Sequence, residues 1–402
     1  MIDYFINALS NVANHPILSP FNAHQSSGAG GPNRRGRTFM KTPTKRDYSL
    51  LGIDGTKAVE DGLAAAEWYH TDIPRKEMKE LMSRSDGPAI RDTILWFALL
   101  IGFGGAAALL WGSWWSVPFF ITYGVLYGSS SDSRWHECGH GTAFKTRWIN
   151  DAVYAIACFM IMRNPAIWRW SHTRHHTDTI IVGRDPEIVA MRPPALWKIA
   201  LNFFNIINAP TALWNAVNYA FGRLSEEEKT FVPQSEWPKV YWTARAWMAI
   251  YVVTVAIALY FHSILPMMLI GILPTMYGGW FSNMVGLTQH AGLAENVLDH
   301  RLNSRTVYMN PVFRFLYWNM NYHVEHHMFP MVPYHALPRL HERMKADTPK
   351  PYASTWEAYR EIIPALWRQR REPEWFVRRE LPASAKPYRP EFHGEVVAMP
   401  AE

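Results

Sequence analysis

Nine of the 17 histidines in this 402-residue chain fall in four tight groups. "HECGH" supplies His136 and His140, and "HTRHH" supplies His172, His175 and His176. "HVEHH" supplies His323, His326 and His327, and "LTQHAG" supplies His290. On a helix, residues i, i+3 and i+4 share a face, so HxxHH aims its first and third imidazoles, and usually the second, at a common centre. HxxxH does the same with two. A structural zinc takes four ligands, so nine neutral donors exceed the needs of one ion and fill two sites at four or five each.

Imidazole suits zinc, copper, iron and nickel. Zinc hydrolases use three protein ligands and keep a position open for water, so a paired site with this many donors is better suited to redox work. Iron with dioxygen meets that description, because it attacks unactivated C–H bonds that no side chain can attack. One HxxxH alone is often a polar helix face; the four groups together are not read that way. His15, His24, His70, His262, His300, His335, His341 and His393 stand isolated and are read as ordinary residues. Of these, His300, His335 and His341 lie nearest the third group.

Acidic and aromatic residues surround the groups. Asp178, Asp185 and Glu187, in "HTDTIIVGRDPEIV", are placed to hydrogen-bond the imidazoles from outside, although Glu187 reads equally well as a solvated loop charge. Glu137 and Glu325 sit inside groups and point off the ligand face. Trp135, Trp168, Trp170 and Trp318 flank the groups, as tunnel walls or as core and interface residues.

The elements that must position these side chains are apolar. The chain is 49% hydrophobic and 18% charged, against about 25% charged in soluble domains, so part of it belongs in lipid. Residues 93–129 carry no charge, and a second apolar block runs from Ala246 to Met284. A span needs about 20 residues, so each block holds two, at about 93–112 and 116–131 and at about 246–262 and 265–284. Residues 152–162 and 196–221 read as core or interfacial helices. Two hairpins return residues 1–92, 134–242 and everything after Met284 to one side. These segments hold nearly all the Lys and Arg, which makes that side cytoplasmic, termini included.

The expected fold is therefore an all-α integral membrane protein, with four transmembrane helices in two hairpins and a cytoplasmic helical cap holding the histidines. Residues 1–45 read as a disordered polar tail, 46–92 as a cytoplasmic helical segment, 93–346 as the membrane domain and 347–402 as a cytoplasmic C-terminal segment. The net charge of +6 is dispersed, with no basic stripe for nucleic acid. Cys138 and Cys158 form no disulfide framework, and a cleaved signal peptide is not expected.

In their order, and separated by two apolar hairpins, "HECGH", "HTRHH" and "HVEHH" resemble the three histidine boxes of the membrane-bound fatty acid desaturase family, over roughly Trp68 to Ala346. The resemblance implies a non-haem di-iron enzyme. It would use O2 and two electrons to remove two hydrogens from adjacent carbons of an acyl lipid or acyl thioester. It assigns metal-ligand roles to His136, His140, His172, His175, His176, His323, His326 and His327, with His290 as the extra histidine before the last box. Some members add an Asn, for which Asn283 and Asn321 are candidates. "NHPIL" does not match the "HPGG" of a fused cytochrome b5 domain, so an external donor of ferredoxin, rubredoxin or cytochrome b5 type is expected. Related hydroxylases use similar clusters, which makes hydroxylation of a lipid or small aliphatic molecule the alternative. A non-catalytic metal-binding membrane protein is the second alternative. Transport would place ionisable residues within the spans, and the first, second and fourth have none.

Overall fold

A computed structural model describes residues 46–388. The expected tail over 1–45, with His15 and His24, and also His393, lie outside the described residues. Within them the chain is helical, and β pairing is confined to two isolated bridges, Thr306 with Tyr322 and Val307 with Tyr352.

Two short helices, α1 (Ile53–Glu60) and α2 (Arg75–Leu81), precede α3 (Asp86–Leu109), the first long apolar helix. After the turn bearing the exposed Trp114 and Trp115, α4 (Ser116–Gly124) passes through a π-helical turn (Val125–Ser129) straight into α5 (Ser130–Gly139). The sequence places a span at 116–131 with the first histidine group directly after it, and in the structure that segment continues without a break to Gly139. Histidines 136 and 140 are thereby fixed to the same helix that carries the second apolar segment. α6 (Arg147–Met160) and α7 (Pro165–Thr177) follow. α7 starts where Asn164 caps it, its side-chain oxygen accepting from Ala166 N at 3.2 Å, with Pro165 in the first turn.

The short helices α8 (Leu196–Asn202) and α9 (Asn208–Ala220) expose Trp197 and Trp214, as expected of interfacial elements. α10 (Trp237–Tyr260) is the second long apolar helix. The fourth expected span, 265–284, is interrupted: α11 (Leu265–Leu269), α12 (Ile272–Gly278) and α13 (Trp280–His290) replace it. Gly271 is the cause of the first break, because its φ of +96° lies in a region that L side chains rarely adopt. α14 (Pro311–Tyr317), α15 (His323–Met328), α16 (Leu337–Met344) and α17 (Thr355–Gln369) follow.

Among the described residues, two helical stretches, Arg75–Leu109 and Gln234–Tyr260, are long and apolar enough to cross a membrane. Only 28% and 22% of their apolar windows are buried in the protein. Leu109, Val252 and Leu259 face outward. A soluble core helix would bury such a surface.

α4 and the π turn pack closely against α12. A Cβ on Gly278 would fall 1.8 Å from the Gly124 carbonyl oxygen, and one on Gly128 3.0 Å from that of Pro274. The Ser129 hydroxyl donates to Gly278 O at 2.6 Å across the same crossing. Gly278→Val is therefore expected to destabilise the protein by about 3 kcal/mol or more through overpacking. Thermal unfolding of the detergent-solubilised protein measures this, and an unchanged transition would contradict the crossing.

Candidate metal centre

Four helices bring the nine imidazoles together. α5 brings His136 and His140, α7 brings His172, His175 and His176, α13 ends on His290, and α15 carries His323, His326 and His327. The ligand-capable nitrogens of His136, His140, His172, His176 and His326 lie within 4.8 Å of one another, and those of His175, His290 and His327 form a second group. His323 joins the second group, its Nε2 standing 3.0 Å from the Nε2 of both His290 and His327. The rings of His176 and His327 stack at 4.5 Å where the groups meet.

Each HxxHH is thus divided between the groups: its first and third imidazoles share a group as expected, whereas the second departs from the expected common centre. His172 and His176 go to the first group while His175 goes to the second; His323 and His327 go to the second while His326 crosses to the first. Helical geometry explains this, because a neighbour in sequence is turned by roughly 100° at 3.6 residues per turn.

Nitrogen spacing tests whether metal ions fit. Nε2 of His172 lies 3.1 Å from that of His140 and 3.2 Å from that of His176, and His326 Nε2 lies 3.1 Å from His176 Nε2. Metal–nitrogen bonds of about 2.1 Å at right angles give nitrogen–nitrogen edges of about 3.0 Å. His136 Nε2 is buried without a hydrogen-bond partner, an arrangement that costs free energy unless something binds there. The donor set fits two ions.

Protonation favours the same arrangement. Burial, reinforced by the neighbouring imidazoles, holds His136, His172, His176, His323, His326 and His327 well below the ordinary histidine range. Burial also lowers His140 to about 4 and His290 to about 3. Neutral imidazole is the form that ligates. His175 is the exception: burial pulls it down, but Asp185 more than offsets this and its pKa is raised.

The outer nitrogens are oriented by acceptors. His172 Nδ1 donates to Glu187 Oε2 at 2.9 Å, His175 Nδ1 to Asp185 Oδ2 at 2.8 Å, and His290 Nδ1 to the Asn303 carbonyl at 2.7 Å. With the proton held on Nδ1, the Nε2 lone pair faces the interior. Glu137 Oε1 lies 3.4 Å from His136 Nδ1 and 3.8 Å from His326 Nδ1, and burial pushes its carboxyl up to about 8.

The other candidates fall as follows. Asp185 serves His175, whereas Asp178 pairs with Arg184 at 3.0 Å and pins the loop after α7. The Asn283 amide donates to Asn205 Oδ1 and Gly279 O, tying helices together. Asn321 donates to Val307 O at 2.8 Å. Glu325 Oε1 stands 2.5 Å from His341 Nδ1, and its other oxygen accepts from Thr306. Trp135 reaches within 5.4 Å of the His172 ring, while Trp318 stacks on Tyr334 at 4.3 Å. Trp168 stacks under the Arg163 guanidinium, and Trp170 packs near α10.

Sequence reasoning undervalued two residues. Glu187 is the partner of His172, and His300 is buried, stacks on Trp68 at 4.3 Å and lies 5.0 Å from the His327 ring. The turn residues of "GRDP" fold Glu187 back onto α7, a return visible only as a Gly and a Pro in sequence.

Residues 112–359 match the fatty acid desaturase family. The chain belongs to that family. Among similar curated proteins, this desaturase-family chain is 26% identical over 230 residues to a delta(5) fatty acid desaturase of Caenorhabditis elegans, covering 50% of this chain and 51% of that one. It is 27% identical over 193 residues to a delta(12) fatty acid dehydrogenase of Crepis alpina, with 46% and 44% covered. A delta(12)-oleate desaturase of Trichosanthes kirilowii is 24% identical over 286 residues, with 62% and 74% covered. The chain spans about half the length of the first two relatives.

Proposed function

We propose that this desaturase-family protein is a membrane-bound, O2-dependent di-iron oxidoreductase that introduces a double bond into a fatty acyl or similar aliphatic chain. The observation that carries the reading is the meeting of nine imidazoles in two adjoining groups, seven of them linked by Nε2–Nε2 spacings of 3.0–3.2 Å. His136, His140, His172, His176 and His326 would hold one iron, and His175, His290, His323 and His327 the other. Bound there, the irons supply the oxidising power for breaking an unactivated C–H bond.

The protein's own residues do the rest. Glu187, Asp185 and the Asn303 carbonyl keep protons on Nδ1 of His172, His175 and His290, so that the Nε2 of these three is aimed inward. The stacked pair Trp68 and His300 covers the second group beside His327 and excludes water from it. In the balanced reaction, dioxygen becomes two waters using two substrate hydrogens, two protons and two electrons from an external carrier. The four apolar segments cross the membrane in two hairpins, with the histidines and both termini on the cytoplasmic side. The acyl reading follows the names of the relatives, and the orientation follows the distribution of Lys and Arg.

The test is metal analysis of purified protein together with mass spectrometry of lipid and polar extracts from cells with and without the gene. Expected are about two irons per chain and a product two hydrogens lighter than its precursor, formed only with O2 and a reductant. A product heavier by one oxygen would move the assignment to hydroxylation. An iron-free protein that is fully active would end the di-iron reading.

A further inference from the structure

We propose that the outward face of α17 is the docking surface for a small acidic one-electron carrier protein, an inference that rests on the oxidoreductase reading above. The inward face of α17 buries Ala358, Ile362, Ala365, Leu366 and Gln369 against the helix that ends on His290 and the turn after it. The Tyr359 hydroxyl donates to Met284 O at 2.7 Å, and Gln369 Nε2 donates to Gly292 O at 3.3 Å. Gly292 has a φ of +80°, and a Cβ there would come 2.9 Å from that of Ala365. The two segments are therefore in backbone-close contact two residues beyond His290. One helix diameter, about 10 Å, separates the outer face of α17 from the wall that carries this imidazole.

That outer face has an unusual composition. Trp356, Arg360, Ile363, Trp367 and Arg371 recur at helical spacing on one exposed stripe, with Trp356 71%, Ile363 59% and Trp367 55% exposed. Arg370 stacks on Trp367 at 5.3 Å. Arg368 stacks on Trp375 at 4.7 Å and pairs with Glu372 at 2.8 Å. Four arginines face two carboxylates, Glu357 and Glu372, so the surface is positive and complements an acidic partner. Ile363, Pro364, Trp367, Arg368, Arg371 and Glu372 line a depression of about 390 Å³. Exposed tryptophan with arginine around a shallow depression is the composition of protein–protein hot spots.

A bilayer is the poorer occupant. α17 touches Met284 near its start and Gly292 at its end, so it climbs along α13 away from the apolar block. Its two exposed tryptophans stand about 16 Å apart along that axis, which does not suit a helix lying in one interfacial plane. Each docking event would oxidise one carrier by one electron, and two events supply the two electrons that the reaction needs.

The probe is a reduced [2Fe–2S] ferredoxin titrated onto the full-length protein in lipid nanodiscs. In the pair Arg368→Glu with Arg371→Glu, the ferredoxin Kd is expected to rise about tenfold or more and its salt dependence to flatten. KM for ferredoxin should follow, while kcat at saturation and turnover with dithionite stay unchanged. Trp367→Ala should weaken binding similarly, and Lys76→Glu with Lys79→Glu, on exposed α2, should not. The proposal is overturned by absent ferredoxin binding, or by an unchanged Kd and salt slope in the arginine pair. An Ile363→Cys thiol shielded from a water-soluble maleimide without ferredoxin would also overturn it, by giving the face to the bilayer. Cys138 and Cys158 are fully buried and leave that readout clean. If ferredoxin binds on this face but no reductant yields an oxygen-dependent product, the docking surface stands and the oxidoreductase reading fails.

Discussion

His326→Ala is expected to lose iron from the five-imidazole group and to lower oxygen-dependent turnover on the order of a thousandfold or more. His326 is the third box's contribution to the first group, and its Nε2 reaches His176 Nε2 at 3.1 Å. Its ring also lies 4.5 Å from that of His136 and 5.0 Å from that of His140, with no exposed surface. It joins imidazoles that belong to three different helices, so no side chain within reach replaces it. Iron content by plasma emission, alongside product formation, measures the effect. Size-exclusion chromatography of the same sample confirms that the variant is folded. Full iron and full turnover in a folded variant would remove His326 from the metal centre.

Asp185→Ala should have the next largest effect, although Asp185 is not itself proposed as a ligand. Its Oδ2 accepts from His175 Nδ1 at 2.8 Å and from Ile180 N at 2.7 Å, and its Oδ1 accepts from Glu187 N at 2.7 Å. One buried carboxylate therefore orients an imidazole, closes the turn at Ile180 (φ +57°) and presents Glu187 to His172. Outer partners of this kind are worth about 10–100-fold in metal affinity. Removing one member of a buried charged network costs about 3–5 kcal/mol. Weaker iron retention against a chelator and a lower unfolding midpoint should appear together. Asp185→Asn, which keeps the shape but lacks the charge, should recover part of the stability and less of the affinity. A change in stability with iron affinity unaltered would reduce Asp185 to a structural residue.

The histidines were legible because their spacing matches helical geometry, and helices are local. Each HxxHH could be read as one turn, and the uncharged blocks could be read as membrane-length segments from composition. Glu187 and His300 were less legible. Nothing in "GRDPEI" states that the loop folds back onto the helix it has just left, and His300 gains its place from Trp68, far away in the chain. The break at Gly271 was hidden for a similar reason: a glycine in an apolar run looks the same whether the helix continues or stops. α17 lies in a stretch read from sequence only as a cytoplasmic C-terminal segment, and the wall it covers is set by contacts with residues 284–292.

Residue type, spacing and hydropathy by themselves determined the chemistry at hand: nine imidazole donors in local turns, two of the four groups at the ends of apolar segments. Only the tertiary structure decided how the donors are shared. It divided each HxxHH between two groups, broke the fourth apolar segment at Gly271, and set a carboxylate or carbonyl behind three of the imidazoles. The reason is one of range. Helical periodicity acts over a few residues and is written in the sequence directly, whereas the packing that places His176 beside His326 joins positions 150 residues apart and depends on every helix between them.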